Sequence, residues 1–194
     1  MLSLNAFSQD YTKSGISFAV SSGAGFLVLN QVNGGGYGQT PYNFKPSSLY
    51  WGASFEVKRK LHGFGIEYEN QKFGETKLGS VGVNIQDMKT VTQLDFSYFN
   101  LYYKFYIPFE YKKINPYLKA SLILPIYAYS EERTWTNSNL STGSDSSSNA
   151  GMGGSFAIHA GANYHINDMF SAFTELGYGP VIWKLGARIS FLPN

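Results

Sequence analysis

The residues of this chain that could act as nucleophile, base or metal ligand are few. There are three histidines and no cysteine. His159 and Ser155 fall on one face of a run with a two-residue period. Four residues of strand separate them by about 13 Å, too far for an imidazole to activate a hydroxyl. His159 and His165 share that face too, but six residues put about 20 Å between them, more than one metal ion bridges. His62 falls in a turn of another hairpin. Without cysteine there is neither a thiolate metal site nor a disulfide. Gly34-Gly35-Gly36-Tyr37-Gly38 has the glycines of a phosphate loop without its lysine or following helix, and reads as a flexible loop. These residues predict no catalytic site, no metal site and no bound cofactor.

Charge is placed more systematically. Glu56, Lys58, Glu67, Glu69, Lys104, Lys119, Glu175, Lys184 and Arg188 each sit in an alternating segment, opposite a face that carries no charge in its central part. Four are acidic and five basic, a balance that suits pairing among themselves more than an ion path.

The elements that carry them read as strands. From Val181 to Phe191, apolar Val181, Trp183, Leu185, Ala187, Ile189 and Phe191 alternate with Ile182, Lys184, Gly186, Arg188 and Ser190. Similar alternation predicts strands over Gly15–Leu29, Ser48–Arg59, Phe64–Phe73, Val91–Ile107, Pro116–Ser130, Met152–Ile166 and Phe170–Tyr178. Two positions disturb the pattern. Leu94 and Phe96 sit on the wrong face, which suggests a bulge, and Pro125 removes a ladder donor within a strand. The connections Asn30–Pro46, Gly74–Thr90 and Glu131–Gly151 are long. Those at Lys60–Gly63, Pro108–Asn115 and Asn167-Asp168 are short, and the last, Gly179-Pro180, reads as a two-residue loop.

Composition limits what such strands can be. Charged residues are 14% and aromatics 17%, with 21 Gly; ordinary soluble domains carry about 25% charged residues. The length of 194 residues suits one domain, and a net charge of +2 is too small to suggest nucleic acid. Mean hydropathy is −0.19, and no run approaches the roughly 20 apolar residues of a membrane helix. Alternating strands of about ten residues span a bilayer when tilted. A soluble sandwich or lipocalin-like barrel would turn its charges outward to water, whereas a membrane barrel must turn them inward. Aromatics near both strand ends favour the membrane. Phe18, Phe64, Phe105, Tyr164, Phe170 and Phe191 would ring one rim, and Phe26, Trp51, Tyr68, Phe99, Tyr178 and Trp183 the other. The expected fold is therefore all-β, a closed antiparallel up-and-down transmembrane barrel of eight strands with a packed polar lumen. Residues 15–191 would form the barrel and 192–194 a tail. Residues 1–14 would be a leader, either a signal-peptide remnant or a disordered segment. Long loops would lie outside, and both termini in the periplasm. In the last hairpin, Tyr178 would face Val181, both outward, and Glu175 would face Lys184, both inward.

This pattern resembles the small eight-stranded outer-membrane barrels of the OmpA and OmpX type over roughly Gly15 to Phe191. It includes a last strand, Trp183-Lys184-Leu185-Gly186-Ala187-Arg188-Ile189-Ser190-Phe191, that ends in an aromatic. The resemblance implies location in the outer membrane of a diderm bacterium. It implies contact with outer-membrane lipids and lipopolysaccharide, and terminal-Phe recognition by the barrel assembly machinery. Three residues follow Phe191, which departs from that last feature. The family's roles are anchoring, adhesion and serum-factor binding, so an extracellular protein or host ligand would meet the loops, where Tyr37, Tyr42, Phe44 and Trp135 form a candidate surface. The alternatives are a lipid A-modifying enzyme and a soluble lipocalin-like binder. The deacylase branch uses a His-x-Ser pair with a Glu, and here His159-Ala160-Gly161 lacks the serine.

Overall fold

The computed structural model describes residues 14–24, 45–46, 50–79, 85–109, 111, 113–137 and 142–191. Its strands are β1 (Gly15–Ala24), β2 (Lys45–Pro46), β3 (Tyr50–Arg59), β4 (His62–Gly79), β5 (Ile85–Tyr106), β6 (Ile114–Asn137), β7 (Thr142–Met152), β8 (Ser155–His165), β9 (Phe170–Tyr178) and β10 (Trp183–Phe191). Eight of them close a ring. β1 pairs with both β3 and β10, and the ladder runs on from β3 through β4, β5, β6, β8 and β9 to β10, every pairing antiparallel. β2 and β7 lie outside the ring, on β4 and β6. The period of two sends one face of each strand out and the other into the lumen.

Two expectations about loops give way to longer strands. Gly74–Thr90 is chiefly ladder: β4 and β5 pair without a break from His62↔Phe105 to Gly79↔Met88. Likewise Glu131–Gly151 is chiefly a hairpin, with β6 and β7 paired from Ile126↔Met152 to Thr136↔Thr142. Beyond the barrel both faces of a ladder can meet water, so alternation of apolar and polar residues fades while the backbone bonds persist. Together β4, β5, β6 and β7 make a sheet that projects past the ring. Most of Asn30–Pro46 lies outside the described residues; Lys45 and Pro46 pair with Gly74 and Phe73.

The two disturbed positions have separate causes. No bulge lies at Leu94 or Phe96; the pairing is regular there and shifts instead between Ile85 and Asp87. Both side chains are buried and point inward, where Phe73, Leu94, Phe96, Tyr98, Ile123 and Ala157 form one apolar cluster inside the end of the barrel that bears the projection. Pro125 stands where β6 changes partner, from β8 (last pair Ile123↔Ser155) to β7 (first pair Ile126↔Met152). Its carbonyl accepts a bond from the Gly153 amide at 3.0 Å, so its missing N–H faces this fork. The β5–β6 ladder on its other side loses no donor.

The last hairpin also differs in detail. Four residues, 179–182, separate β9 from β10. Gly177 N–H still bonds the Ile182 carbonyl at 2.9 Å, which keeps the register and pairs Lys184 with Glu175. Val181, expected outward, is buried at 2% exposure. The wider loop lets it fold over the lumen end, where its carbonyl meets His159 Nε2 at 2.7 Å.

Inward glycines make room for large neighbours. Gly65, Gly161 and Gly186 lie directly across from Tyr102, Tyr117 and Phe173. A Cβ on Gly161 would sit 2.6 Å from the Tyr117 ring and 2.7 Å from the Thr174 carbonyl. Gly161→Val must therefore displace Tyr117, and overpacking of this kind costs about 1–3 kcal/mol. Urea unfolding of the refolded barrel should show a loss of that size, whereas Gly154→Val, with open space around it, should be near neutral.

Candidate functional site: the lumen and the projecting sheet

All nine charges singled out from alternation point into the barrel. Glu56, Glu67, Glu69, Lys104, Lys119, Glu175, Lys184 and Arg188 are buried, and Lys58 is half-buried at one mouth. At the centre, Lys104 and Lys119 face each other on β5 and β6. Like charges so placed repel, and Glu175 lies between them, 3.2 Å from one and 3.1 Å from the other. The opposing β8 position, Gly161, has no side chain to crowd it, and Tyr117 donates to it at 2.9 Å. The directly opposed Lys184 is 3.9 Å from Glu175. Lys184 lies closer to Glu67, at 3.1 Å, and to Glu69 across the lumen. Glu67 also takes Lys119 at 2.7 Å and the Asn100 amide at 3.3 Å. Tyr50 donates to Glu69. Toward the end with the short turns, Glu56 collects Lys104 at 3.4 Å, Arg188 at 3.5 Å and the hydroxyls of Tyr102 and Tyr106.

The buried charges of the lumen pair with one another. Each buried carboxylate has at least one cation within 4 Å, which offsets the several kcal/mol that a lone buried charge costs. The apolar cluster around Phe96 occupies the end that bears the projection. In a planar bilayer the protein should carry little or no current. A stable open state of porin size would refute the filled interior.

The histidines do not gather. His159 Nε2 is engaged by the Val181 carbonyl and Ser155 is exposed, so no serine is activated there. His62 sits on the outside with Nδ1 2.7 Å from the Tyr103 hydroxyl. Among the described residues no three His, Asp or Glu side chains are grouped to hold a metal.

Outside, the described aromatics stand where alternation puts them. Phe18, Trp51, Phe64, Phe99, Phe105, Tyr164, Phe170, Tyr178, Trp183 and Phe191 are exposed. Tyr68 is half-buried between Trp51 and Phe99, with ring centroids 5.3 and 5.0 Å away. At the other rim Phe18 meets Phe55 at 5.1 Å and Phe191 at 6.4 Å. Between the rims lie exposed Val20, Ile66, Leu101, Leu118, Leu122, Ile158 and Leu185. Just beyond Tyr68 and Phe99 the outer face turns polar. Asn70 donates to Asp95 and Ser97, and Lys72 is 3.2 Å from Asp95. Of the loop aromatics, Trp135 is half-buried over Gly143 in the projecting hairpin. Tyr37, Tyr42 and Phe44, like Phe26, lie outside the described residues.

Sequence reasoning missed the lumenal tyrosines Tyr50, Tyr102, Tyr106 and Tyr117, all buried and each bonded to a carboxylate. For three of them a signal was present: Tyr102 and Tyr106 stand two residues from Lys104, and Tyr117 two from Lys119, on the same face. Tyr50 has no charged neighbour of that kind, since it faces Gly23 and stands two residues from Gly52.

No family model and no curated protein matches the chain. Among solved structures it is similar to Ail, the attachment invasion locus protein of Yersinia pestis, at 16% identity and a TM-score of 0.38, over 93% of this chain and 99% of that one. It is similar to the N-terminal β-barrel domain of Pseudomonas aeruginosa OprF at 14% identity and 0.39, over 93% and 98%. A structure of Ail in complex with the heparin analogue sucrose octasulfate matches at 13% and 0.37, over 92% and 98%. The chain is similar to these structures, and its own strand pairings establish the closed ring.

Proposed function

We propose that the chain is an outer-membrane barrel with a sealed, structural lumen, and that it works at the cell surface through the sheet projecting from β4 to β7. A belt of exposed aliphatic side chains bounded by aromatics supports the membrane reading. The observation that carries the surface role is the outer edge of β7. Among the described residues Thr142–Met152 pairs on one side only, with β6. Such an edge presents unpaired N–H and C=O groups, a template for an added strand from an extended peptide. Its sequence, TGSDSSSNAGM, is small and polar. Backbone bonds would thus supply affinity and few side chains would obstruct a partner.

The test uses the ladder itself. Gly153 N–H bonds the Pro125 carbonyl. The alternation of an antiparallel pair then turns the amides of Ser146 and Ser148 away from β6. Ser146→Pro with Ser148→Pro removes two edge donors without touching the β6–β7 ladder. Extended peptides displayed on phage should be enriched on the folded barrel and lose at least tenfold on the proline variant. Equal enrichment on both would end the edge reading. A lipid-modifying activity is the alternative, and unchanged lipid A masses with and without expression would remove it.

A further inference from the structure

The charge balance inside the barrel is uneven, and the excess has a location. Of the nine charges that point into the barrel among the described residues, five are cations and four carboxylates. The extra cation is Lys58, at the mouth on the side of the short turns. Its ammonium lies over the Tyr106 ring, 4.5 Å from the centroid, and among the described residues no carboxylate lies within 4 Å of it. Beside it a pocket opens, lined by Ser17, Lys58, Tyr106, Asn163, Arg188 and Ser190 among others. Glu56 is the carboxylate in that lining, and it is already shared by Lys104, Arg188 and two tyrosine hydroxyls.

Buried polar atoms at this pocket also lack partners. Arg188 donates through Nη1 to Tyr106 at 2.9 Å, yet its Nε–H is buried and unbonded. Asn163 Oδ1 in the lining is likewise buried and unbonded, and so is Ser171 Oγ, which lies directly opposite Arg188 but outside the pocket lining. Each of these three residues is at least nine-tenths buried. A guanidinium edge, an ammonium and hydroxyls that can rotate to donate form the donor set that binds a phosphoryl group or similar oxyanion. A half-turn of the Asn163 amide brings its N–H₂ to the same side.

We infer that the mouth of the lumen between Lys58 and Arg188 is an anion site, built for a phosphate-type oxyanion that neutralises the fifth lumenal cation. Ser17 and Ser190, opposed on β1 and β10, would complete the donors. The phosphate can be free in solution or carried by a lipid headgroup of the facing leaflet.

The experiment is an amide NMR titration of the folded barrel with inorganic phosphate at constant ionic strength, chloride being replaced. The expected result is a saturable shift at Ser17, Ser190 and Asn163, with half-saturation at least tenfold higher in Lys58→Met. Ser190→Ala, at the half-buried rim, should weaken it about threefold and serves as the variant least able to disturb folding. Linear, unsaturable shifts would overturn the site, as would equal saturation in wild type and Lys58→Met. Nanodiscs distinguish the sources. If phosphatidylglycerol supplies the anion, these resonances will already be shifted without added phosphate, relative to zwitterionic detergent. If free phosphate is the ligand, they will shift only on its addition. The absence of both shifts would refute the inference.

Discussion

Replacing Glu175 by glutamine should destabilise the barrel by about 3–5 kcal/mol, the cost of stripping a buried cation of its partner. Glu175 is 1% exposed and lies within 4 Å of Lys104, Lys119 and Lys184. Without its charge Lys104 and Lys119 confront each other across the β5–β6 ladder with one carboxylate fewer between them. Urea titration in lipid vesicles measures the loss. The partners can be separated by double-mutant cycles with Lys119→Met and Lys184→Met. Coupling should be larger for Glu175 with Lys119, at 3.1 Å, than with the directly opposed Lys184, at 3.9 Å. Additive effects in both cycles would refute the network.

The second large effect lies on the other face. Leu122 is 66% exposed, at mid-strand on β6 between Leu101 and Phe156 of its neighbours. In a soluble barrel an exposed Leu→Arg change is usually worth less than about 0.5 kcal/mol. In a bilayer an arginine at the midplane costs about 2–4 kcal/mol. Leu122→Arg should therefore cost several-fold more in vesicles than Leu122→Met, and folding into thin vesicles should slow. Near-equal stability of the two variants would place this face in water.

The barrel was readable because its constraint is local. Each strand crossing the ring must alternate, so Phe170–Tyr178 was predicted with its observed bounds, and the Glu175↔Lys184 register followed from counting. Two kinds of feature were not readable. The projecting sheet has water on its exposed faces, so Gly74–Thr90 and Glu131–Gly151 lack the periodicity that marks a buried face. The apolar side chains that enter the lumen, Leu94, Phe96 and Val181, break the rule that polar residues face inward. They do so at its end, where sealing matters more than pairing charges. Pro125 was legible as an irregularity, but its reason is the change of partner from β8 to β7, which no single strand encodes. Cross-lumen contacts such as Lys184 with Glu67 join residues 117 apart in sequence and have no local signature.

That separation has a consequence for the order in which the barrel forms. β1 and β10 pair directly, so the ring closes only when the first and last strands of the described chain meet. Until then Lys184 and Arg188 on β10 stand apart from Glu67, Glu69 and Glu56 on β3 and β4. Closure between such distant segments is slow, and a slip of one residue would turn every side chain of β10 over. Lys184 and Arg188 would then face outward, and Trp183, Leu185 and Ile189 would enter a charged lumen. The ion pairs thus act as a proofreading step at closure: the final seam holds only in the register that returns each cation to its carboxylate.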